Sequence, residues 1–538
     1  MSESETTAGT NAKTGTVGKK ETSSMIPRIA ITLTALFAYG SYHFLAENEP
    51  NKCGMSYMYE VPQYIKLSNP KHFKYSLFVY GEGQLSEFLK KGQFDGIPVL
   101  FIPGNAGSFR QVRSLASVAL RKAIEDTKYK IHFDYFAVDF VEEYSALHGG
   151  TLEAQAEFVR QSIDAILDLY QGKQKSVVLI GHSVGGLIAK ALFTDEKFDS
   201  KQVQTIITLA TPHTMPVVNT DYYIDNFYSK IDSYWNTSRR NALDHVLLVS
   251  IGGGTKDIQV RPGLTWSKFA DINIQTTAAS GIWVSADHRC IVWCKQVVLT
   301  LNRALFDLVE NKMHIAEDKQ KRLQVFKYHL VQRTGGKRFR PNLHPDEFSF
   351  DKNGDWKDIG LRQYTFKQAS PLKKNTYLMI KTLDDPKHQR LTVDAINMDN
   401  DNWVFACKKL AVLNELVQCD HGINLSNQST IMPSNGKRKS ISINLVELRE
   451  NYSHVVIFMK KGMDAFRVTT DVYGIKERNI QVSLPRWINF VRDTRLVALT
   501  AKNALFYNVS LKDMSEPWQA YELSAFQLDC SNGASLNS

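Results

Sequence analysis

An α/β fold built on a parallel sheet, followed by a β-rich domain, is what this sequence predicts, and three observations predict it. From about Cys53 to about Leu323, apolar runs of strand length alternate with amphipathic stretches of helical period, the pattern of a sheet covered by helices on both faces. Beyond about Tyr328 the character changes to short alternating segments separated by Asn, Asp, Gly and Pro clusters, which is a β-sandwich signature. The length of 538 residues exceeds what one hydrophobic core usually organises, so two folded domains with appendages are expected, here at 53–325 and 330–538.

Residues 1–25 are polar and rich in Ser, Thr and Gly and read as a disordered cytosolic tail. Ile29 to Ala46 follows without Asp, Glu, Lys or Arg, long enough for a transmembrane anchor over 26–46. Thr32, Thr34, Gly40, Ser41 and His43 dilute it, while Tyr39 and Tyr42 suit an interfacial belt. Lys13, Lys19, Lys20 and Arg28 precede the stretch and only Lys52 follows closely, so the positive-inside bias assigns the N-terminus to the cytosol and everything after Ala46 to a lumen. A cleaved signal peptide competes, but the polar lead before Met25 is long for an n-region and no small-x-small site follows.

The glycosylation sequons at Asn236, Asn424, Asn427, Asn451 and Asn508 all lie C-terminal to the apolar stretch, in agreement with that charge bias. Six cysteines fit one or two disulfides in an oxidising compartment, with a zinc site as the rival reading. Cys407 and Cys419 are spaced for a local bridge across a strand connection, whereas Cys290 and Cys294, at i and i+4 of an expected helix, are expected to include buried thiols. The net charge of +10 is thinly spread and no nucleic-acid module accompanies it, so an anionic membrane surface is the expected partner and nucleic acid is not. Hydrophobic and charged fractions of 43% and 22% exclude a largely disordered or fibrous chain.

In the first domain the strands are expected at Ile97 to Pro103, His132 to Val138, Val177 to Gly181, Val203 to Leu209, Val246 to Ile251 and Gly281 to Ser285. Helices are expected over about Ser108 to Thr127, Leu152 to Tyr170, from Val184, and over about Ile291 to Glu310. The β-rich region offers strands at Thr376 to Lys381, Leu391 to Ile396, Trp403 to Cys407, Ser440 to Leu445, His454 to Met459 and Phe466 to Thr470.

Within the third strand and the helix after it runs Gly-His-Ser-Val-Gly-Gly, residues 181–186, which reads as a nucleophile elbow of the α/β-hydrolase type. Gly181 and Gly185 permit a turn too tight for side chains, and the turn lifts Ser183 Oγ to the C-terminal edge of the sheet. A serine hydroxyl is a weak nucleophile alone, so it needs a histidine to take its proton and a carboxylate to orient that histidine. In this fold the chain order is serine, acid, histidine. His288 is the choice for the histidine, with His213 as competitor. Asp257, in the glycine-rich turn after the strand at Val246, is the choice for the acid, with Asp221, Asp244 and Asp287 as alternatives. Oxyanion donors are expected from the backbone N–H of Val184 and from Asn105 in Pro-Gly-Asn-Ala-Gly-Ser-Phe, where Gly104 and Gly107 let the loop approach the site. The aromatic insertion between His213 and Val246 carries Phe227, Ile231 and Tyr234 at helical spacing, which suits either a lid over an acyl-chain groove or a helix packed on the core. The mechanism requires no cofactor and no metal.

The segments FIPGNAGSFRQVRSLAS, GHSVGGLIAKAL, TLATPHTMPV, YWN, GGGTKDIQVRPGLT and WVSADHRCIVWCKQ together resemble the GPI inositol-deacylases of the endoplasmic reticulum, from about Cys53 to about Leu308. The resemblance implies a serine esterase that removes the fatty-acyl chain from the inositol of GPI anchors, with GPI lipid and GPI-anchored proteins as substrates and Ser183, His288 and Asp257 as its triad. It implies a single-pass protein of the endoplasmic reticulum membrane with most of the chain lumenal. Members of that family continue into further membrane helices, whereas this sequence stops at Ser538, which admits a truncated product or isoform. A lumenal lipase or phospholipase of broader specificity shares the same chemistry, and a catalytically idle GPI-protein binding factor is a third reading.

Overall fold

The computed structural model describes residues 25–46, 52–310, 313–332, 338–339, 347–398, 400–413, 416–433, 437–485 and 504–513. The tail expected over 1–25 lies outside them but for Met25, as do Cys530 and most of the chain beyond 485. Met25–Ala46 forms a 22-residue helix, α1. The hydroxyls of Thr32 and Thr34 donate back to Arg28 O and Ala30 O at 2.9 and 2.8 Å. Among the described residues no helix is long and apolar enough to cross a membrane. The helix expected at 26–46 is therefore present, but Thr32, Thr34, Gly40 and Ser41 keep its apolarity below that of a spanning segment.

From Cys53 the chain forms a second unit. Its first part is an eight-stranded sheet of β1 (Pro62–Lys66), β2 (Ser76–Glu82), β3 (Ile97–Ile102), β4 (Phe133–Asp139), β5 (Val178–His182), β6 (Thr205–Leu209), β7 (Leu247–Gly252) and β8 (Ile272–Gln275), in the order β1-β2-β4-β3-β5-β6-β7-β8. β1 and β2 run antiparallel, β2 is antiparallel to β4, and every later pairing is parallel. Central strands such as β3, Ile-Pro-Val-Leu-Phe-Ile, are buried at all six positions, because helices cover both faces of a parallel sheet and leave no wet side.

Period-two alternation divides the core between those faces. Val99 and Phe101 of β3 and Ile180 of β5 pack with Leu115 and Ala119 of α3 (Arg113–Thr127) and Leu301 and Leu305 of α7 (Lys295–Asp307). Leu100, Ile102 and Leu179 pack on the other face with α2 (Gly83–Lys90), α4 (Gly149–Leu169), α5 (Val184–Ala191) and α6 (Tyr222–Ser238). The sheet order and helix placement are those of an α/β-hydrolase.

Five of the six expected strands of this domain form. The sixth, Gly281 to Ser285, does not: it is a turn in which Ile282 and Trp283 donate to Ala279 O and Gly281 and Trp283 take positive φ of 76° and 45°. The last strand is β8 instead, while β1, β2 and β8 escaped the pattern reading. β1 and β8 are short and only partly buried, so their alternation is weak.

The C-terminal part is β-rich, as expected. A six-stranded sheet containing Thr376–Lys381, Val404–Leu413 and His454–Met459 faces a five-stranded sheet containing Arg390–Ile396, Arg438–Asn444 and Phe466–Tyr473. Leu378, Val455 and Ile457 from the first meet Leu391, Val393, Ile441 and Val468 from the second in one core. The Cys407–Cys419 disulfide joins adjacent strands of the larger sheet. Of the pair Cys290 and Cys294, expected to include buried thiols, Cys294 is bonded to Cys53, 241 residues away. Cys290 is buried beside them with its Sγ 3.4 Å from that of Cys53, and it lies in a 3-10 turn, with Cys294 only capping α7, so the two do not share a helix.

Candidate active site

β5 ends at His182 and α5 begins at Val184, so Ser183 is the single residue that turns the chain between them. It does so at φ 54° and ψ −131°, a region that side chains other than glycine rarely occupy. Two bonds hold it there: Ser183 N–H donates to Leu209 O of β6 at 2.9 Å, and Gly186 N–H donates to Ser183 O at 3.1 Å. A Cβ on Gly185 would lie 2.3 Å from Ile102 O, so only glycine lets the elbow close against β3.

The loop after β3 lies directly on Ser183. A Cβ on Gly104 would sit 2.4 Å from Ser183 Cβ and 3.1 Å from Ser183 Oγ. Next to it, the Asn105 side chain accepts from Ala146 N–H at 2.9 Å. Ala106 N–H donates to Glu143 O and Gly107 N–H to Gly104 O, whereas the N–H groups of Gly104 and Asn105 make no hydrogen bond among the described residues. Val184, the first residue of α5, has no helical carbonyl four residues back to receive its N–H. Both amides expected as oxyanion donors therefore belong to segments packed at the nucleophile, and the positive end of α5 points the same way.

Asp257 follows β7 in a turn, with its N–H donating to Gly254 O at 3.1 Å. Its carboxylate is buried, and its two oxygens hold different partners. Oδ1 accepts from Val260 N–H at 2.8 Å, and Oδ2 lies 3.0 Å from His288 Nδ1. That contact fixes the proton of a neutral His288 on Nδ1 and leaves Nε2 as the basic nitrogen. His288 is supported from below as well: Ala286 N–H donates to Gly253 O at 2.7 Å, and Asp287 Oδ1 accepts from Arg289 N–H and Cys290 N–H. The structure thus brings Asp257, His288 and the elbow together. No hydrogen bond joins Ser183 Oγ to the His288 ring within 3.5 Å among the described residues, a contact that in unliganded hydrolases often closes only with substrate.

The alternatives are engaged elsewhere. Asp221 caps α6 through Ile224 N–H at 2.8 Å and pairs with His148 at 3.0 Å. Asp244 is exposed in the turn after α6, and Asp287 caps its own turn. His213 is buried with Nε2 2.9 Å from Thr208 Oγ1. Burial first, and the Lys190 ammonium second, hold its imidazole well below the usual histidine range. An imidazole of such lowered basicity, with no carboxylate bonded to it among the described residues, does not suit the role of general base.

The aromatic insertion resolves as a packed helix. Ile224, Phe227, Ile231 and Trp235 of α6 are buried, and the Trp235 indole N–H donates to Lys190 O at 3.0 Å. Trp235, rather than Tyr234, completes the inward face; Tyr222 and Tyr223 in the first turn remain exposed.

Of the sequon asparagines, Asn236, Asn427, Asn451 and Asn508 are exposed. Asn424 is not available for a glycan in the folded chain: it is 7% exposed, its amide N–H donates to Asn402 Oδ1 at 2.7 Å and its Oδ1 accepts from Ser426 N–H. Among the described residues no group of three or more His, Cys, Asp and Glu side chains is arranged to hold a metal.

One contact escaped the reading of the motif. His182, the residue before the nucleophile, donates from Nε2 to the backbone carbonyl of His288 at 2.8 Å, and the two rings lie 4.8 Å apart. Burial, with the His288 ring beside it, pushes the His182 imidazole down to about 3. Its partner is 106 residues away, and no local spacing signals a contact of that range.

Comparison with known proteins adds to this geometry. Residues 93–308 match a family model described as the PGAP1-like alpha/beta domain, and residues 476–538 match the GPI inositol-deacylase beta-sandwich domain. The GPI inositol-deacylase of Mus musculus is 35% identical over 493 residues, which are 88% of this chain and 52% of that protein. The Drosophila melanogaster GPI inositol-deacylase is 32% identical over 548 residues, covering 92% of this chain and 54% of that protein. The chain spans about half the length of the curated relatives it matches. Among solved structures, the Bacillus licheniformis lipase BlEst2 is 13% identical, covering 37% of this chain and 87% of its own, at a TM-score of 0.25.

Proposed function

Because the chain belongs to the GPI inositol-deacylase family, we propose that it is a serine ester hydrolase that removes the inositol-linked fatty acyl chain from GPI anchors. The observation that carries this reading is the buried Asp257–His288 pair, 3.0 Å apart, set against the strained elbow of Ser183. In this mechanism His288 Nε2 takes the Ser183 hydroxyl proton as Oγ attacks the ester carbonyl. Asp257 holds the ring in the required tautomer and stabilises the imidazolium that forms. The N–H groups of Val184 and Asn105 receive the oxyanion, and loss of one such donor costs roughly a hundred- to a thousandfold in rate. Collapse of the tetrahedral intermediate expels the inositol hydroxyl, protonated by His288, and leaves an acyl-Ser183 ester. Water, activated by the same histidine, then releases the fatty acid.

We further propose that the enzyme works on the lumenal side of the endoplasmic reticulum membrane, with GPI lipid and GPI-anchored proteins as substrates. Two disulfides and the exposure of Asn236, Asn427, Asn451 and Asn508 are consistent with an oxidising, glycosylating compartment. The test is Ser183→Ala in cells that lack the native activity. With the variant, GPI anchors keep the inositol acyl chain and resist phosphatidylinositol-specific phospholipase C, whereas the unsubstituted chain restores cleavage. Normal cleavage with the variant would sink the reading.

A further inference from the structure

We propose that His182 is a positioning residue that sets the distance between nucleophile and base through its hydrogen bond to the main chain of His288, an inference that rests on the ester-hydrolase reading above. The side chain of His288 is oriented by Asp257, but an oriented ring is useful only if its peptide stays at a fixed distance from Ser183. His182 supplies that constraint from the adjacent residue, since its Nε2–H donates to His288 O at 2.8 Å. The strand that ends in the nucleophile is thereby tied to the loop that carries the base.

Three features support a dedicated role. First, the acceptor is a carbonyl, so Nε2 must carry the proton, and a single neutral tautomer serves. Second, Nδ1 of His182 is buried and has no hydrogen-bond partner among the described residues. An apolar ring would fill the same space without leaving a polar atom unsatisfied, so packing alone does not account for an imidazole here. Third, Asp257 and Ala286, the other supports of the His288 loop, lead to the loop after β7 and not to the elbow. Among the described contacts, the His182 bond is the direct link between the two peptides.

The experiment compares His182→Phe, which keeps the ring and its volume but loses the donor, with His182→Gln, which keeps an N–H at similar reach. Both are made in the full chain. The readouts are the rate at which a fluorophosphonate labels Ser183, and kcat and KM for p-nitrophenyl butyrate, with thermal unfolding as a control on folding. A displacement of the base by about 1 Å costs on the order of a hundredfold. The Phe variant is expected to lower the labelling rate and kcat by roughly that factor with KM little changed, and the Gln variant to recover most of the loss. A folded Phe variant with the rate of the unsubstituted chain would overturn the proposal, as would equal losses in two folded variants. Failure of the unsubstituted chain to be labelled would overturn the ester-hydrolase reading itself.

Discussion

Ser183 stores strain of about 1–3 kcal/mol in its backbone, and the bonds to Leu209 O and from Gly186 N–H show what holds it there. The elbow at Ser183 was legible in the sequence because it is local: strand, tight turn and helix are contiguous in residues 176–192. Its partners were not fully legible, because four aspartates lie at reasonable chain positions and only spatial arrangement separates them. Asp257 is buried against His288, while Asp221 is occupied in capping α6. Two substitutions test that separation. Asp257→Asn is expected to lower kcat by about 10⁴-fold with the fold retained, because the amide favours the wrong imidazole tautomer. Asp221→Ala is expected to leave kcat unchanged and to cost about 1 kcal/mol in denaturant unfolding, as the loss of an N-cap does. A large loss of turnover in Asp221→Ala alone would reassign the acid.

At the scale of elements, α6 shows how periodicity identifies a helix without identifying its contacts. Phe227 and Ile231 mark the apolar face in the sequence, but whether that face lines a groove or packs on the sheet depends on what lies opposite. Opposite lie Phe193 and Phe269, whose ring centroids are 5.5 and 5.9 Å from that of Trp235. Trp235→Ala is therefore expected to destabilise the domain by about 3–5 kcal/mol in denaturant unfolding. If α6 were a mobile lid, the same substitution would change substrate affinity and leave stability near its original value. The elbow and its helix behave differently from α6, since close contacts with β3 and β6 on both sides leave them a single arrangement.

At the scale of the whole molecule, the Cys53–Cys294 bridge closes a loop of 241 residues around the hydrolase fold. A crosslink of that span restricts the unfolded chain strongly, and Cys53→Ser is expected to cost about 2–5 kcal/mol in denaturant unfolding under oxidising conditions. Cys53 is the position to change because Cys290 stands 3.4 Å from its sulfur and would offer it a second partner in a Cys294 variant. An unaltered unfolding midpoint would show that the bridge contributes little. By itself the sequence determined the two architectures, five of the strands and the strand–turn–helix elbow at Ser183, because each depends on residues close together in the chain and on a period that follows from backbone geometry. Only the tertiary structure decided that Cys294 joins Cys53, that Asn424 is buried, that Gly281 to Ser285 turns instead of pairing, and that His182 reaches His288. The physical reason is common to all four: each depends on a neighbour supplied by a distant part of the chain, and neither local propensity nor spacing carries that information.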